Sequence, residues 1–219
     1  MCGRYSLEFD EEFYKRYRLV NKLQVKTSYN ITPGQIMPVI IAQSPNSMSF
    51  MLWGLIPIWE EKKDKPSGLI NIRSDTVLNR TWAYKYIQFQ RCLVPTTGFF
   101  EWKRTNNVKQ PYYFYLKNKK YFSFAGIYSE WKNPKNNKVI KSYAIITTFP
   151  NTLMQPIHNR MPVILKEEDE DEWLNPDLIE VEKIKEFLKP YSTNNLETYT
   201  ISTRINNPVF NNKELLKPL

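Results

Sequence analysis

Four clusters of polar residues in this chain carry side chains that could do chemistry, and the first begins directly behind the initiator position. It is Cys2 with Arg4, in the stretch Met1-Cys2-Gly3-Arg4-Tyr5. If Met1 is removed, Cys2 carries a free thiol and a free α-amine on neighbouring carbons. An α-amine titrates at about 7.7–8.0 and a thiol at about 8.5, so both are partly deprotonated near neutral pH. The pair can capture an aldehyde, because the amine forms a Schiff base and the sulfur then closes a five-membered thiazolidine ring. The plain alternative is a small residue behind a start codon.

The second cluster is Asn71-Ile72-Arg73-Ser74-Asp75. Asn71 and Arg73 alternate along an extended segment, so their side chains share one face. On that face Arg73 could bind a phosphate with two parallel hydrogen bonds. The alternative for Arg73 is a surface salt bridge with Asp75.

The third and fourth clusters offer acid–base groups. Glu101 lies among aromatic residues in Gly98-Phe99-Phe100-Glu101-Trp102, at the end of a β-rich segment. An aromatic setting removes water from a carboxylate and raises its pKa, which suits acid–base catalysis. The alternative is a glutamate bonded to the backbone at a strand end. His158 opens His158-Asn159-Arg160-Met161-Pro162, although a lone histidine is more often a satisfied structural residue than a catalyst.

Composition narrows the class of partner. Lysine and arginine total 31 against 22 acidic residues, a net charge of +9, and aromatic residues make up 15% of the 219 residues. A basic surface attracts phosphate polymers, and cations combined with stacking rings are the usual means of binding single strands. Two cysteines and one histidine are too few for a structural zinc site. No apolar run reaches the roughly 20 residues that span a bilayer, so we expect a cytoplasmic protein, associated with the nucleoid if bacterial, without metal or cofactor.

The remaining pattern indicates the elements that position these clusters. Apolar residues among charges predict a helix over Leu7–Leu19, and further helices are predicted over Asp75–Tyr86, Glu167–Leu174 and Ile179–Leu188. Strands are predicted over Ile36–Ala42, Ser47–Trp53, Arg91–Thr96, Pro111–Leu116, Tyr121–Trp131, Val139–Thr148 and Glu197–Thr203. Loops are predicted over Tyr29–Gly34, at Ser44-Pro45-Asn46 and over Lys62–Ser67. The chain is therefore expected to be one α+β domain over residues 1–219, with a mixed, mostly antiparallel sheet curled like a barrel and flanked by helices.

Taken together, the motifs are far more specific than any one cluster. The chain resembles the SRAP (SOS-response-associated peptidase) family, whose members bind abasic sites in single-stranded DNA. The resemblance spans most of the chain and rests on motifs in the family's order: Met1-Cys2-Gly3-Arg4-Tyr5, Tyr29-Asn30-Ile31-Thr32-Pro33, Trp53-Gly54-Leu55-Ile56-Pro57-Ile58-Trp59, Asn71-Ile72-Arg73-Ser74-Asp75, Cys92-Leu93-Val94-Pro95, Gly98-Phe99-Phe100-Glu101-Trp102 and His158-Asn159-Arg160-Met161-Pro162.

The resemblance implies a role for each site residue. Cys2 matches the nucleophile that crosslinks to the ring-opened sugar aldehyde, and Asn71 matches a residue that positions the adduct. Glu101 and His158 match two acid–base positions, while Arg4 and Arg73 match phosphate-binding arginines. Asp75 departs from the family's frequent glutamate, and the tract from Glu61 to Gly68 is poorly matched, so the residues that wedge into DNA are not assigned.

The resemblance implies a monomer that forms a thiazolidine with abasic single-stranded DNA after loss of Met1, with a peptidase label and a possible lyase activity. Two other functions stay open from the residues. One is a noncovalent single-strand-binding module, which would not depend on Cys2. The other is a thiol peptidase with a Cys2–His158 dyad and an acyl-enzyme intermediate.

Overall fold

In a computed structural model, the chain is described over residues 2–23, 25–61, 68–105 and 108–219. The strands in chain order are β1 (Tyr5–Leu7), β2 (Ser28–Ile31), β3 (Ile36–Ile41), β4 (Ser44–Trp53), β5 (Asn71–Arg73), β6 (Arg91–Thr96), β7 (Gly98–Thr105), β8 (Val108–Leu116), β9 (Phe122–Lys132), β10 (Val139–Thr148), β11 (Met161–Pro162), β12 (Ile164–Leu165) and β13 (Leu196–Thr200). The α-helices are α1 (Glu11–Arg16), α2 (Ser74–Asn79), α3 (Thr81–Phe89), α4 (Glu170–Leu174) and α5 (Val181–Phe187).

Five strands close into a barrel in the order β10-β4-β3-β6-β9, with β9 pairing back to β10. All of its pairings are antiparallel except β10 with β4. β10 also carries β5 as a parallel neighbour and β11 as an antiparallel one. The predicted α+β class with a mixed, curled, mostly antiparallel sheet is therefore confirmed.

A second, wholly antiparallel sheet runs in the order β13-β8-β7-β1-β2. It is joined to the barrel core through Tyr5 of β1. The Tyr5 ring packs edge-on against Trp53 of β4, with 5.0 Å between centroids, and its hydroxyl is 2.7 Å from that of Tyr143 on β10. The two buried hydroxyls satisfy each other, so this aromatic contact adds no unpaired polar group to the core.

Several predicted boundaries are wrong. The helix predicted over Leu7–Leu19 is only α1, preceded by β1, and Asp10 caps it by accepting a hydrogen bond from the Phe13 amide at 3.1 Å. The predicted helix over Asp75–Tyr86 is two helices, because Arg80 between them is extended. Part of the predicted loop over Tyr29–Gly34 is β2, which gains its ladder from β1.

The remaining differences are shorter. β4 runs through the predicted turn at Ser44-Pro45-Asn46, because the chain reverses earlier and Ile41 pairs with Ser44. β13 ends three residues before the predicted Thr203. The loop predicted over Lys62–Ser67 lies outside the described residues. In the described ranges, no helix is long and apolar enough to cross a membrane.

Candidate functional site

The pairing of β1 with β7 brings the first cluster beside the third. Tyr5 pairs with Phe99 and Ser6 with Gly98, and the Phe100 amide donates to the Arg4 carbonyl at 3.0 Å. Because the strands are antiparallel, the residues before Tyr5 run alongside those after Phe100. Cys2 is thereby brought next to Glu101.

This register requires a glycine at position 98. A Cβ there would lie 2.2 Å from the Tyr113 hydroxyl oxygen. Tyr113 cannot withdraw cheaply, since its buried hydroxyl lies 3.1 Å from the Ser6 Oγ and donates to the Thr97 carbonyl at 3.1 Å. The closeness of β1, β7 and β8 thus depends on one missing side chain.

Asn71 reaches the same place from the barrel. β5 is paired with β10, with Asn71 opposite Ile145. The Asn71 Nδ2 donates to the Cys2 carbonyl at 2.8 Å. Its Oδ1 is buried and accepts no hydrogen bond from the residues that the structure describes. Asn71 therefore fixes the main chain of Cys2 and retains one acceptor in the site.

The Cys2 side chain is fully buried, and its thiol donates a weak hydrogen bond to the Arg4 carbonyl at 3.7 Å. Burial raises the pKa of this thiol well above its ordinary value, and the negative charge of Glu101 raises it further. The sulfur is therefore a neutral thiol near neutral pH.

Glu101 lies in the middle of β7, so its predicted place at the end of a β-rich segment is wrong. Its side chain is 2% exposed, and burial raises its pKa above the ordinary 4.5, while the neighbouring charge of His158 partly opposes that rise. The carboxyl group can therefore take and release a proton closer to neutral pH than an exposed glutamate can.

His158 precedes β11. The Arg160 amide lies 3.0 Å from its Nδ1, a contact that fits a neutral ring with its proton on Nε2. The same Nδ1 is 3.1 Å from the Arg160 carbonyl oxygen, to which a doubly protonated ring could donate. The main chain of Arg160 thus offers this ring nitrogen both a donor and an acceptor.

Arg4 is anchored on one side only. Its Nη1 donates to the Asn30 Oδ1 at 2.6 Å and to the Ile205 carbonyl at 2.7 Å. Its guanidinium also lies 5.9 Å from the centre of the Trp102 ring. The other guanidinium nitrogens have no hydrogen-bond partner within the described ranges, so they remain available to an anion.

Arg73 forms an exposed ion pair with Asp75. Its Nε and Nη2 bond the two carboxylate oxygens of Asp75 at 2.9 and 2.5 Å. This is the surface salt bridge that the sequence left open as the alternative. Exposed pairs of this kind are screened by water and contribute little to stability, so a phosphate can replace the carboxylate at little cost.

Arg160 also lies at this site, although the sequence motifs indicate no role for it. It is 7% exposed, and its Nη2 donates to the Thr147 carbonyl at 2.5 Å and to the Thr147 Oγ1 at 3.2 Å. Its Nε and Nη1 are buried without a partner among the described residues. Burial lowers its pKa, and the nearby charge of Arg73 lowers it further. The available signal was its spacing of two residues from His158 in an extended motif.

Two exposed apolar side chains follow β4. Ile58 is 58% and Trp59 50% exposed, and Trp59 packs edge-on against Trp82 with 5.4 Å between centroids. A bridge between Leu55 and Leu69 brings this segment beside the residues that lead into β5. Within the described part of the chain, no three His, Cys, Asp or Glu side chains converge as a metal-binding group would require.

Comparisons with known proteins agree with these motifs. A family model described as "SOS response associated peptidase (SRAP)" matches residues 1–208. The abasic site processing protein YoqW of Bacillus subtilis is 37% identical over 223 residues, which cover 99% of each chain. The abasic site processing protein HMCES of Xenopus tropicalis is 30% identical, over 86% of this chain and 65% of its own.

Solved structures share the fold. A crystal structure of a protein from Bacteroides thetaiotaomicron matches with a TM-score of 0.91 at 29% identity, covering 100% of each chain. A second, from Bordetella bronchiseptica, matches with a TM-score of 0.78 at 21% identity, covering 92% of this chain and 100% of its own.

Proposed function

The chain belongs to the SRAP family, and on that premise we propose that it captures abasic sites in single-stranded DNA as a covalent thiazolidine through Cys2. The adduct shields the lesion during the DNA damage response. The observation that carries the proposal is the hydrogen bond from Asn71 to the Cys2 carbonyl, beside the buried carboxyl of Glu101. Fixing the Cys2 main chain also fixes the nitrogen on its Cα, which is the atom that must attack. Related proteins that bear the name abasic site processing protein support the choice of lesion.

The reaction requires loss of Met1, which lies outside the described residues, because only then is the Cys2 nitrogen a free amine. Glu101 moves the proton that opens the closed sugar to its aldehyde. The amine adds to the aldehyde carbon, and His158 assists the proton transfers that release one water and leave an iminium. The Cys2 sulfur then adds to the same carbon as its S–H proton passes to a neighbouring base. The net change is aldehyde plus aminothiol to thiazolidine plus water.

The order of these steps follows from the thiol. In the chain that still carries Met1, burial raises the pKa of the Cys2 thiol, so we expect the amine rather than the neutral thiol to attack first. The iminium is a strong enough electrophile for a thiol whose proton is removed in the same step. The closed ring resists hydrolysis better than an imine, since a second covalent bond replaces the C=N.

The same thiol argues against a Cys2–His158 peptidase. A thiol peptidase needs a thiolate, which a neighbouring imidazolium stabilises by lowering the thiol pKa. Here the two largest effects on the Cys2 thiol, burial and the charge of Glu101, raise its pKa, and the weak hydrogen bond to the Arg4 carbonyl opposes them only in part. A peptidase reading is therefore restricted to removal of Met1.

Three arginines surround the site and suit a phosphate backbone. Arg4 and Arg160 each have guanidinium nitrogens without a partner among the described residues. The partner of Arg73 is the exposed carboxylate of Asp75, which a phosphate can replace. A lesion without a base must be recognised by its backbone and its aldehyde. We assign the phosphate contacts to these three residues, while the exposed Ile58 and Trp59 suit contact with bases.

The test is an incubation of the purified protein with single-stranded DNA that contains one abasic site, followed by a denaturing gel. We expect a heat-resistant shifted band from the wild type and from Cys92→Ala, which also removes one buried thiol. Cys2→Ser should lose the stable band while its noncovalent binding remains. An equal band from Cys2→Ser rules out the thiazolidine.

Intact mass spectrometry checks the prerequisite, since the active form must lack one methionine residue. The mass of the adduct should equal protein plus DNA less one water. A purely noncovalent single-strand binder would show salt-sensitive binding in native gels and no adduct in any variant.

A further inference from the structure

Phe149 directly follows β10 at the end of the strand that supports the site. Thr147 pairs with Arg73 on β5, and Thr148 pairs with Met161 on β11, just after the His158–Arg160 segment. Residues 143–148 are buried without exception, yet Phe149 is 61% exposed. A large aromatic side chain therefore faces solvent at the rim of the site.

One face of this ring is occupied by a cation. The Arg160 guanidinium carbon lies over the Phe149 ring, 5.4 Å from its centre. Since the guanidinium covers that face, the exposed area of the ring lies on its opposite face and its edge. Beneath the ring, Arg160 retains two buried nitrogens without partners in the described ranges. The exposed ring of Phe149 thus lies against a guanidinium group whose buried nitrogens can donate hydrogen bonds to an anion.

We propose that Phe149 is the stacking platform for the nucleobase next to the abasic residue, an inference that rests on the proposed function. A base beside an abasic position lacks a stacking partner on that side, and an aromatic ring can replace it regardless of sequence, because every base has a π-face. Phe149 and Arg160 then bind two parts of one strand, the base and the phosphate. The cation behind the ring adds to this arrangement.

Charge decides between this occupant and a protein partner. Arg4, Arg73 and Arg160 all border the site, and the chain has a net charge of +9, so the rim favours a polyanion. Other exposed apolar residues do not combine these features. Val209, for example, is 83% exposed, but an aliphatic side chain offers no stacking face, and single exposed residues of that kind are ordinary.

The test is a thermodynamic cycle in which the Phe149 ring and the neighbouring base are removed separately and together. The DNA is a single strand with one tetrahydrofuran residue, an abasic analogue without an aldehyde, flanked by two ordinary bases. Two further strands replace either the 5′ or the 3′ neighbouring base with a second tetrahydrofuran. Dissociation constants are measured by fluorescence anisotropy for the wild type, Phe149→Ala, Phe149→Leu and Phe89→Ala. Phe89 is a matched control, because it is 59% exposed at the end of α3.

We expect Phe149→Ala to weaken binding of the first strand about 5- to 150-fold, the usual loss for one base–aromatic stack. Removing one of the two neighbouring bases should weaken the wild type similarly, and should weaken Phe149→Ala less than 2-fold further. Phe149→Leu should resemble Phe149→Ala, because leucine still covers Arg160 but has no aromatic face. Phe89→Ala should bind as the wild type does.

Two outcomes overturn the proposal. One is that the effects of Phe149→Ala and base removal multiply at both neighbouring positions. The other is that Phe149→Leu binds like the wild type, which would make the ring a cover for Arg160 alone. Thermal unfolding of each variant confirms that it is folded.

The experiments distinguish failure of the stacking proposal from failure of the proposed covalent function. The cycle uses no aldehyde, so it does not depend on Cys2. An adduct with natural abasic DNA but no coupling overturns the stacking proposal only. Coupling without any adduct supports the platform and overturns the covalent function.

Discussion

Replacing Arg160 by methionine separates its role in binding from any role in folding. Methionine keeps an unbranched apolar stem beneath Phe149 and removes the charge. The variant loses the two hydrogen bonds to Thr147, at 2.5 and 3.2 Å, and charged hydrogen bonds contribute about 1.5–3 kcal/mol each. It also removes two buried donors without partners in the described ranges, each of which costs about 1–3 kcal/mol. These terms are of similar size, so we expect the free energy of unfolding to change little.

The salt dependence of the affinity for single-stranded DNA should change measurably in Arg160→Met. For single strands, each neutralised phosphate contributes about 0.7 to the negative slope of log K against log salt concentration. Contacts from Arg4, Arg73 and Arg160 therefore give a slope of about −2.1, or roughly an 18-fold loss of affinity between 50 and 200 mM salt. Arg160→Met should reduce the steepness by about 0.7, so its loss over that range is about 7-fold.

The assay is fluorescence anisotropy with a tetrahydrofuran-containing single strand over that salt range, with thermal unfolding measured beside it. Lys185→Met is the matched control: it removes one exposed positive charge from α5, where Lys185 pairs with Glu182 at 2.6 Å. Its slope and stability should stay at the wild-type values. If Arg160→Met has the wild-type slope but a clearly lower melting temperature, Arg160 is a structural residue and the argument from its unpartnered nitrogens fails.

Three further substitutions test the chemical groups. Burial raises the pKa of Glu101 above 4.5 in the folded protein. The contribution of Glu101 to stability is therefore complete below the pKa that it has in the unfolded chain, and it is lost as pH rises through the higher pKa that it has in the folded protein. Glu101→Gln should therefore gain stability relative to the wild type as pH rises above about 4.5 in thermal unfolding, while adduct formation falls; a difference that does not vary with pH contradicts this. Asn71→Ala loses the 2.8 Å hydrogen bond to the Cys2 carbonyl and should slow adduct formation about 10- to 100-fold in gel time courses, with binding of the aldehyde-free strand changed less than 3-fold. His158→Ala should slow adduct formation or reversal about 100-fold or more, and an equal loss in binding of the aldehyde-free strand would make His158 a structural residue.

Local pattern predicts the long strands well and the short ones poorly. The predicted strand over Val139–Thr148 coincides with β10, because its β-branched and aromatic residues favour a pleated, buried surface. β1 and β2 have three and four residues, too few for a period to be read. They are strands because β2 pairs with β1 and β1 also pairs with β7. The extended residue Arg80 interrupts a helical pattern, and nothing in the local sequence explains this interruption.

The sequence likewise identifies some residues of the candidate site and misses others. Cys2 and Glu101 can be singled out from the sequence because their motifs occur together with the others in one order, although each residue alone has a plain structural alternative. Arg160 and Phe149 do not, because their value comes from a contact between them and from unpaired nitrogens. Such properties depend on the pairing of β10 with β11, which no local pattern encodes.

β10 supports both the residues proposed for the chemistry and those proposed for the DNA contacts. Asn71 and Arg73 are bound to it through β5, Arg160 through Thr147, and Phe149 extends from its end. Because β10 also closes the barrel between β4 and β9, it cannot shift without breaking the barrel. The spacing between the residue that positions Cys2 and those proposed to bind the strand is thus set by one rigid backbone. A lesion that offers no base can be recognised in this way, since a fixed spacing between aldehyde, phosphate and neighbouring base is the remaining feature that distinguishes it.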